Sequence, residues 1–299
     1  MKYIENRPAL CYTETNSARR RKYGRKAPNT GTNTGIANGK AFGRKKCKNM
    51  SIRVTVWNEY RHEKSNPAVA EIYPNGLHAV VADAVKDEDI EVRLAALDDP
   101  QQGLPDEVLN NTDVLIWWGH MAHGEVDDAL VERIRRRVYG GMGLICLHSA
   151  HHSKVFRAVI GTTGNLTWGD NVPEVMWNIN PTHPIAKGIP SHFKLEAEEI
   201  YAEPFQIPDP DEIVFLSWYK TGYVFRGGCC FKRGAGKIFY FQPGHETVPT
   251  YHNEYVRRIL KNAVRWASPA DTGYKIELDG CPYLGGEFVP DGELEALKK

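Results

Sequence analysis

The sequence lacks any long hydrophobic run. Nowhere do about 18 apolar residues follow one another, and the first 30 residues lack the apolar core of a secretory signal. A protein that spans or crosses a membrane is therefore not expected, and the predicted location is the cytoplasm. Cysteine is also scarce, without metal-finger spacing and without the density of a disulfide scaffold, so reduced thiols are expected. The six cysteines stand at positions 11, 47, 146, 229, 230 and 281.

A Gly-rich dinucleotide-binding fingerprint is missing as well. None follows the apolar run at residues 52–57, where the first strand is predicted. We therefore expect no nucleotide cofactor, and any redox cofactor would belong to a partner enzyme. The chain also has no internal repeat.

The formal net charge of +1 conceals two differently charged parts. Residues 1–50 contain 13 Lys or Arg against only Glu5 and Glu14, with few large apolar residues to offset the entropy of ordering. They are predicted to be a disordered basic leader, either translated upstream sequence or a basic arm for nucleic acid or targeting. Composition favours the first alternative, so a nucleic-acid partner is not expected. Residues 51–268 are predicted to form one domain, and residues 269–299 an acidic tail.

Apolar runs alternate with amphipathic segments along the first part of this domain. Such alternation is typical of an α/β fold with a mostly parallel sheet covered by helices on both faces. Strands are predicted at 52–57, 90–94, 114–117 and 144–147, and helices at 77–85, 127–139 and 153–160. Antiparallel strand candidates follow at 175–179, 213–218, 223–225 and 229–231, then a core strand at 237–241 and a closing helix at 254–266.

Histidines cluster after the predicted parallel strands. Ligands of such sheets bind beyond the carboxyl ends of the strands, where helix N-termini and loops meet. Three imidazoles from separate loops could bind zinc or a similar divalent ion and leave a position open for water or substrate. His120, His148 and His245 are the preferred ligands, because each follows a strand end or a glycine. Seven of the eleven histidines belong to this edge: His62, His120, His123, His148, His151, His152 and His245.

Carboxylates and aromatic residues supply further candidates. Glu246 adjoins His245 and could act as general acid or base if burial raises its pKa toward neutrality; otherwise it caps the next segment. Glu199 and Tyr201, in the acidic segment 196–201, are candidates for contact with a polar substrate, although such a run is also typical of solvated charges. Tryptophans could stack on a sugar ring or pack in the core. These are Trp117, Trp118, Trp168 and Trp177.

Cys146 is placed before a predicted strand-to-helix turn, where nucleophile elbows occur. Leu144 and His148 stand where such a turn usually has glycine, which favours a buried, inert thiol. Ser149 meets the same objection.

Four segments carry a family resemblance: 117–123, 147–149, 183–189 and 243–252. Over roughly residues 51–268 the chain resembles the trehalose-utilisation (ThuA-like) family, which is related to class I glutamine amidotransferases. The resemblance implies a three-layer, flavodoxin-like fold and a role in the catabolism of trehalose or a related disaccharide, alongside dehydrogenases that make 3-keto sugars. It also places His120, His148 and His245 on characteristic positions, and Glu199 and Tyr201 less securely. The relatives' Cys–His–Glu triad aligns with Cys146 and His245, but without the glycines of the elbow.

Together these features predict a carbohydrate-catabolic enzyme that acts on trehalose or a 3-keto disaccharide by acid–base chemistry. A bound metal would polarise a substrate oxygen, and Glu246 or Glu199 would move the proton. A separate NAD-dependent sugar dehydrogenase is the expected partner, and a homo-oligomer is compatible with the sequence. Two alternatives stay open: a thiol-dependent amidohydrolase using Cys146 and His245, and a sugar-binding subunit without catalysis. Hydrolysis, elimination and isomerisation are not distinguished.

Overall fold

The computed structural model describes residues 51–269. The predictions for the leader and for the tail from residue 270 onward lie outside the described residues. In the described part, no helix combines the length and the apolar character needed to cross a bilayer.

Nine strands form a single sheet, and seven α-helices accompany them in this part of the chain. The strands are β1 Ile52–Asn58, β2 Ile90–Ala96, β3 Val114–Trp118, β4 Gly143–Leu147, β5 Thr167–Asn178, β6 His192–Ala202, β7 Glu212–Tyr219, β8 Val224–Arg233 and β9 Gly236–Phe241. The helices are α1 His62–Ser65, α2 Pro67–Ile72, α3 Leu77–Val85, α4 Asp106–Asn110, α5 Asp128–Tyr139, α6 Lys154–Ile160 and α7 Glu254–Ala267.

Burial of apolar side chains on both faces explains the central strands. Every residue of β3 and β4 is buried, as their continuous apolar runs predict. Two hydrophobic clusters cover the two faces of the sheet: one includes side chains of α3 and α7, the other side chains of α5 and α6. Local signals set the helix ends. The Asn253 side chain accepts hydrogen bonds from the first-turn N–H groups of α7, and Gly161 ends α6 with a positive φ of 86°.

The strand order is β2-β1-β3-β4-β9-β8-β7-β5-β6. The pairings from β2 to β9 are parallel, and those from β9 to β6 are antiparallel. The prediction of a mostly parallel sheet is therefore wrong, and the sheet is mixed. The mixed sheet follows from the connections between strands. Parallel neighbours need a crossover of a dozen or more residues, usually a helix. The segment 161–253, which is described throughout, contains no α-helix, so its strands pair antiparallel with one another. In addition, the candidates at 223–225 and 229–231 form one strand, β8, and β6 was not predicted.

The register of the parallel strands sets where the histidine loops emerge. Asn58 lies opposite Trp118, Trp118 opposite Leu147, and Leu147 opposite Phe241. Four strands therefore end at the same level, and the segments that follow them leave the sheet side by side.

Strand β6 joins this edge from the antiparallel half. Its pairing with β5 shifts register twice, between Gly169 and Asn171 and between Val172 and Glu174. Such bulges bend a strand. The part of β6 that pairs with this bulged region contacts His148, the first residue after β4: Glu199 Oε2 lies 3.1 Å from His148 Nε2.

Candidate functional site

A cavity of about 570 Å³ lies at the shared end of the parallel strands. Its volume is in the range of small-ligand sites. It is lined by His120, His123, Ser149, His151, His152, Asn165, Leu166, Trp168, Glu199, Tyr201 and His245.

Buried Glu59 fixes the loop that carries His120. Its carboxylate accepts hydrogen bonds from the backbone N–H groups of His120 at 2.7 Å, Met121 at 2.9 Å and Ala122 at 3.0 Å. Because one carboxylate binds three successive amides, the backbone after β3 has little freedom, and the position of His120 follows from it.

Buried Glu198 fixes the backbone of the loop that carries His245. It accepts from the backbone N–H of Gly244 at 2.9 Å, from that of His245 at 3.0 Å and from Thr250 Oγ1 at 2.7 Å. Glu196 is exposed, whereas Glu198 and Glu199 are both buried, so this acidic segment mixes a solvated charge with more than one inward carboxylate.

His148 occupies the strand-to-helix turn itself. It follows β4 directly, begins the 3₁₀ segment His148–His152, is fully buried, and has a φ of 51°. A left-handed histidine is strained, and such strain is common at functional sites. Its Nδ1–H donates to the carbonyl oxygen of Gln242 at 2.8 Å, so Nε2 faces Glu199 and lies 3.4 Å from the Tyr201 hydroxyl. The strand-to-helix turn expected after Cys146 is therefore present, and His148 is its left-handed residue.

The first group of candidate ligands is called the inner set: His148, Glu199 and His245. Glu199 Oε2 lies 3.1 Å from His148 Nε2, and Glu199 Oε1 lies 4.0 Å from His245 Nε2. One donor atom from each side chain lies within 4.8 Å of the others, which is close enough for a shared metal ion.

The second group is called the outer set: His62, His120 and Glu246. His62 Nε2 lies 3.0 Å from His120 Nδ1, while Glu246 places Oε1 3.4 Å from His62 Nδ1 and Oε2 3.3 Å from His120 Nδ1. The two sets adjoin, because Glu246 Oε1 is also 3.7 Å from His245 Nε2.

The three preferred histidines therefore meet, but not as one ligand set. The ring centroids of His120 and His245 are 5.9 Å apart, and those of His148 and His245 are 5.4 Å apart. His120 belongs with His62 and Glu246 instead. His62 was not among the preferred ligands, although its position after the end of β1 was a usable signal.

The carboxylates at the centre are ionised. Burial acts to raise the pKa of Glu246, but its contact with His120 and the charges of His120, His245 and His62 outweigh this and lower it to about 2. The condition for Glu246 to act as a general acid or base, a pKa raised toward neutrality, is therefore not met. Burial likewise acts to raise the pKa of Glu199, and the hydrogen bond and charge of His148 reverse the shift to a lowered value.

The imidazoles differ in charge. For His148, burial acts to lower the pKa, yet the hydrogen bond with Glu199 and the charges of Glu198 and Glu199 raise it, so His148 and Glu199 form an ion pair. Burial, with the charge of His148, lowers the pKa of His245 to about 4. A neutral imidazole is the form that binds a metal.

Three further histidines line the cavity without joining either set. Burial lowers the pKa of His123 to about 4 and that of His151 to about 3, so both are neutral near pH 7. His151 Nδ1 donates to the carbonyl oxygen of Gly164 at 2.6 Å. The ring of His152 lies 5.9 Å from that of His123. His123 and His151 therefore provide a polar, uncharged part of the wall.

The aromatic candidates separate into two classes. Trp117 is buried and stacks on Trp57 with ring centroids 3.7 Å apart, and Trp118 is buried too, so both belong to the core. Trp168 lines the cavity and is 69% exposed, as a sugar-stacking residue would be. Trp177 is exposed beside His192, away from the cavity lining.

Cys146 lies inside β4, one residue before its end, and is fully buried. Burial raises the pKa of its thiol well above the usual value. The thiolate is the nucleophilic form of cysteine, so this position is unsuited to nucleophilic catalysis.

We expect iodoacetamide to alkylate Cys146 in the folded protein at least about 100-fold more slowly than in urea, because reaction requires opening of the core. Peptide mass spectrometry of both samples would measure the ratio. Rapid alkylation of Cys146 in the folded protein would contradict its burial and favour the thiol-dependent alternative.

Comparisons with known proteins agree with this architecture. The model of the ThuA family, described as trehalose utilisation, matches residues 53–267. The structure is similar to a ThuA-like protein of Parabacteroides merdae, with a TM-score of 0.57 and 14% identity over 78% of this chain and 93% of that one. A ThuA-like protein of Bacteroides uniformis gives a TM-score of 0.53 and 16% identity over 76% of this chain and 95% of that one. At these identities the likeness concerns the fold alone. None of the curated proteins compared with the sequence matches it.

Proposed function

Because the chain belongs to the ThuA family of trehalose utilisation, we propose that it is an enzyme that transforms trehalose or a related disaccharide, including a 3-keto derivative, in the histidine-lined cavity. The family itself supports a carbohydrate-related role. The observation that carries the enzymatic proposal is the inner set, because Glu199 and His245 line this cavity and the buried His148 lies against Glu199.

The donor chemistry of the inner set fits a divalent ion. Two histidines and one glutamate form a common ligand set of catalytic zinc, in which a further position stays open. His148 also has the partner expected behind a metal-bound imidazole, since its Nδ1–H donates to Gln242 and Nε2 points toward Glu199. We therefore propose that His148, Glu199 and His245 hold a zinc-like ion. When bound, such an ion would polarise a carbonyl or hydroxyl oxygen of the substrate.

The neighbouring side chains would bind and orient the sugar. Burial raises the pKa of Tyr201 well above its ordinary value, so its hydroxyl stays protonated and can donate a hydrogen bond to a substrate oxygen. Trp168 offers an exposed aromatic face to the apolar C–H patches of a sugar ring. The neutral histidines His123 and His151 can exchange hydrogen bonds with hydroxyl groups.

The setting of the reaction is also a proposal. We place it in the cytoplasm, beside a separate NAD-dependent dehydrogenase that would supply a 3-keto sugar, because no dinucleotide fingerprint follows β1. The order of the parallel strands, β2-β1-β3-β4-β9, corresponds to the flavodoxin-like arrangement and supports that classification.

A test of the function would incubate the full chain with trehalose and with 3-keto-trehalose and follow the products by mass spectrometry and NMR. We expect conversion of one of these sugars, a fall of at least about 100-fold after chelation, and recovery with Zn²⁺. His192→Ala is a suitable control, since His192 is exposed and does not line the cavity.

Saturable sugar binding without any product would contradict catalysis and favour the sugar-binding subunit, to which the exposed Trp168 would be equally suited. Conversion that survives chelation unchanged would contradict the role of the ion.

A further inference from the structure

We infer that the outer set, His62, His120 and Glu246, binds a second divalent cation, so that the cavity holds a two-metal centre in which Glu246 is shared. This inference rests on the proposed function in one respect: it takes the inner set to be a metal site.

The spacing of the outer donors is that of metal ligands. His120 Nδ1 lies 3.0 Å from His62 Nε2 and 3.3 Å from Glu246 Oε2, and one donor atom from each of the three side chains lies within 4.8 Å of the others. Two ligand atoms that are each about 2.0–2.1 Å from a tetrahedral zinc are roughly 3.3 Å apart. The side chains would need little movement to enclose an ion.

An unpartnered atom points to a missing cation. Glu246 is only 5% exposed, and its Oε2 has no hydrogen-bond donor within the described chain, although His120 Nδ1 is 3.3 Å away. A buried carboxylate oxygen without a partner is costly. A cation between Glu246 and His120 would satisfy it.

A buried carboxylate holds the loop that carries His120. Glu59 accepts hydrogen bonds from the backbone N–H groups of residues 120–122. His120 is therefore held in position before an ion binds, so a cation would not have to order this loop.

The local charge favours more than one cation. Glu59, Glu198, Glu199 and Glu246 are all buried around this end of the sheet, and no Lys or Arg is among the described residues that line the cavity. Glu59 and Glu198 are satisfied by hydrogen-bond donors and Glu199 faces His148, but Glu246 has only imidazoles beside it, so a bound divalent ion would compensate its charge.

Glu246 connects the two sets. Its Oε2 lies 3.3 Å from His120 Nδ1 in the outer set, and its Oε1 lies 3.7 Å from His245 Nε2 in the inner set. Paired metal ions can stabilise both the attacking and the leaving oxygen of a reaction. The role of Glu246 as a free acid or base, predicted from the sequence, is thereby replaced by ligation.

Metal stoichiometry tests the inference. The full chain would be stripped with a chelator, loaded with Zn²⁺, freed of excess metal and analysed by plasma mass spectrometry. We expect about two ions per wild-type chain, about one in His62→Ala, about one in Glu199→Gln and almost none in the double variant. His123→Ala is the matched control, because His123 lines the cavity but belongs to neither set, and it should keep about two.

The outcomes separate this inference from the proposed function. One ion per chain that Glu199→Gln removes and His62→Ala does not would overturn the second site and leave the inner one. One ion that only His62→Ala removes would support the outer site and contradict the inner ion. No ion in any sample would overturn both. His62→Gln, as a more conservative variant, and a circular-dichroism melt of each variant would show whether loss of metal reflects misfolding. Co²⁺ absorption spectra of wild type and His62→Ala would give an independent count of the bound ions.

Discussion

Glu199→Gln is expected to lower conversion of the proposed sugar substrate by at least about 100-fold and to remove the ion proposed for the inner set. The substitution keeps the size of the side chain but deletes the charge that faces His148 at 3.1 Å and His245 at 4.0 Å. A neutral amide is a poorer ligand than a carboxylate, and His148 loses its ionic partner at a fully buried position. The measurements are kcat/KM with the converted sugar and zinc content per chain.

The matched control is Glu196→Gln, three residues earlier on β6. Glu196 is exposed and pairs with Lys194 at 2.7 Å, so its substitution should change neither turnover nor metal content appreciably. Equal thermal unfolding of the two variants would show that the loss in Glu199→Gln is chemical. The role given to Glu199 is wrong if the variant keeps more than about a tenth of the wild-type turnover.

The parallel half of the sheet was predictable because its signals are local. Buried strands such as β3 and β4 are apolar at every position, and the longer helices α3, α5 and α6 carry apolar residues at helical spacing, so a local pattern identifies them. The helices α1, α2 and α4, of four to six residues, are too short to show such a period and were not predicted. Because ligands of such sheets bind beyond the carboxyl ends of the parallel strands, the strand predictions also identify the histidines that follow them as site candidates. The register of β1, β3, β4 and β9 places those loops side by side.

Strand β6 was not predictable in the same way. Alternation holds only at its start, where Phe193 and Leu195 are buried and Lys194 and Glu196 are exposed. Residues 198–202 are all buried, which breaks the period of two. Glu198 is buried because it binds donors about 50 residues later in the chain, and no local pattern reports such a partner.

Which histidines group together could not be predicted from the sequence either. Strand ends determine which imidazoles reach the edge, but side-chain direction determines which of them meet. His148 points to Glu199 because of a left-handed turn and a hydrogen bond to Gln242, and His62 meets His120 because α1 begins at His62. Both features depend on backbone geometry that apolar periodicity does not encode.

Glu198→Ala is expected to lower the free energy of unfolding by about 3 kcal/mol. The substitution removes the acceptor of three hydrogen bonds, from Gly244 N–H, His245 N–H and Thr250 Oγ1, and leaves those donors in a buried place. Each buried donor without a partner costs roughly 1–3 kcal/mol. Part of this loss is offset, because burial raises the pKa of Glu198 and its charge is itself unfavourable in the folded state. Urea unfolding followed by circular dichroism would measure the change.

Two control variants test whether the loss of stability is specific to the Glu198 carboxylate. Glu196→Ala removes an exposed carboxylate from the same strand and should change stability by no more than about 0.5 kcal/mol. Glu198→Gln keeps the shape and one acceptor oxygen, so its loss should fall between those of the two alanine variants. If Glu198→Ala unfolds within 1 kcal/mol of wild type, roughly the scale of an exposed ion pair, then Glu198 does not hold the His245 loop. If the loss of unfolding free energy is large, the position of His245 depends on Glu198, a carboxylate that does not line the cavity. Conversion of the sugar by Glu198→Ala should then fall even at temperatures where the variant is folded.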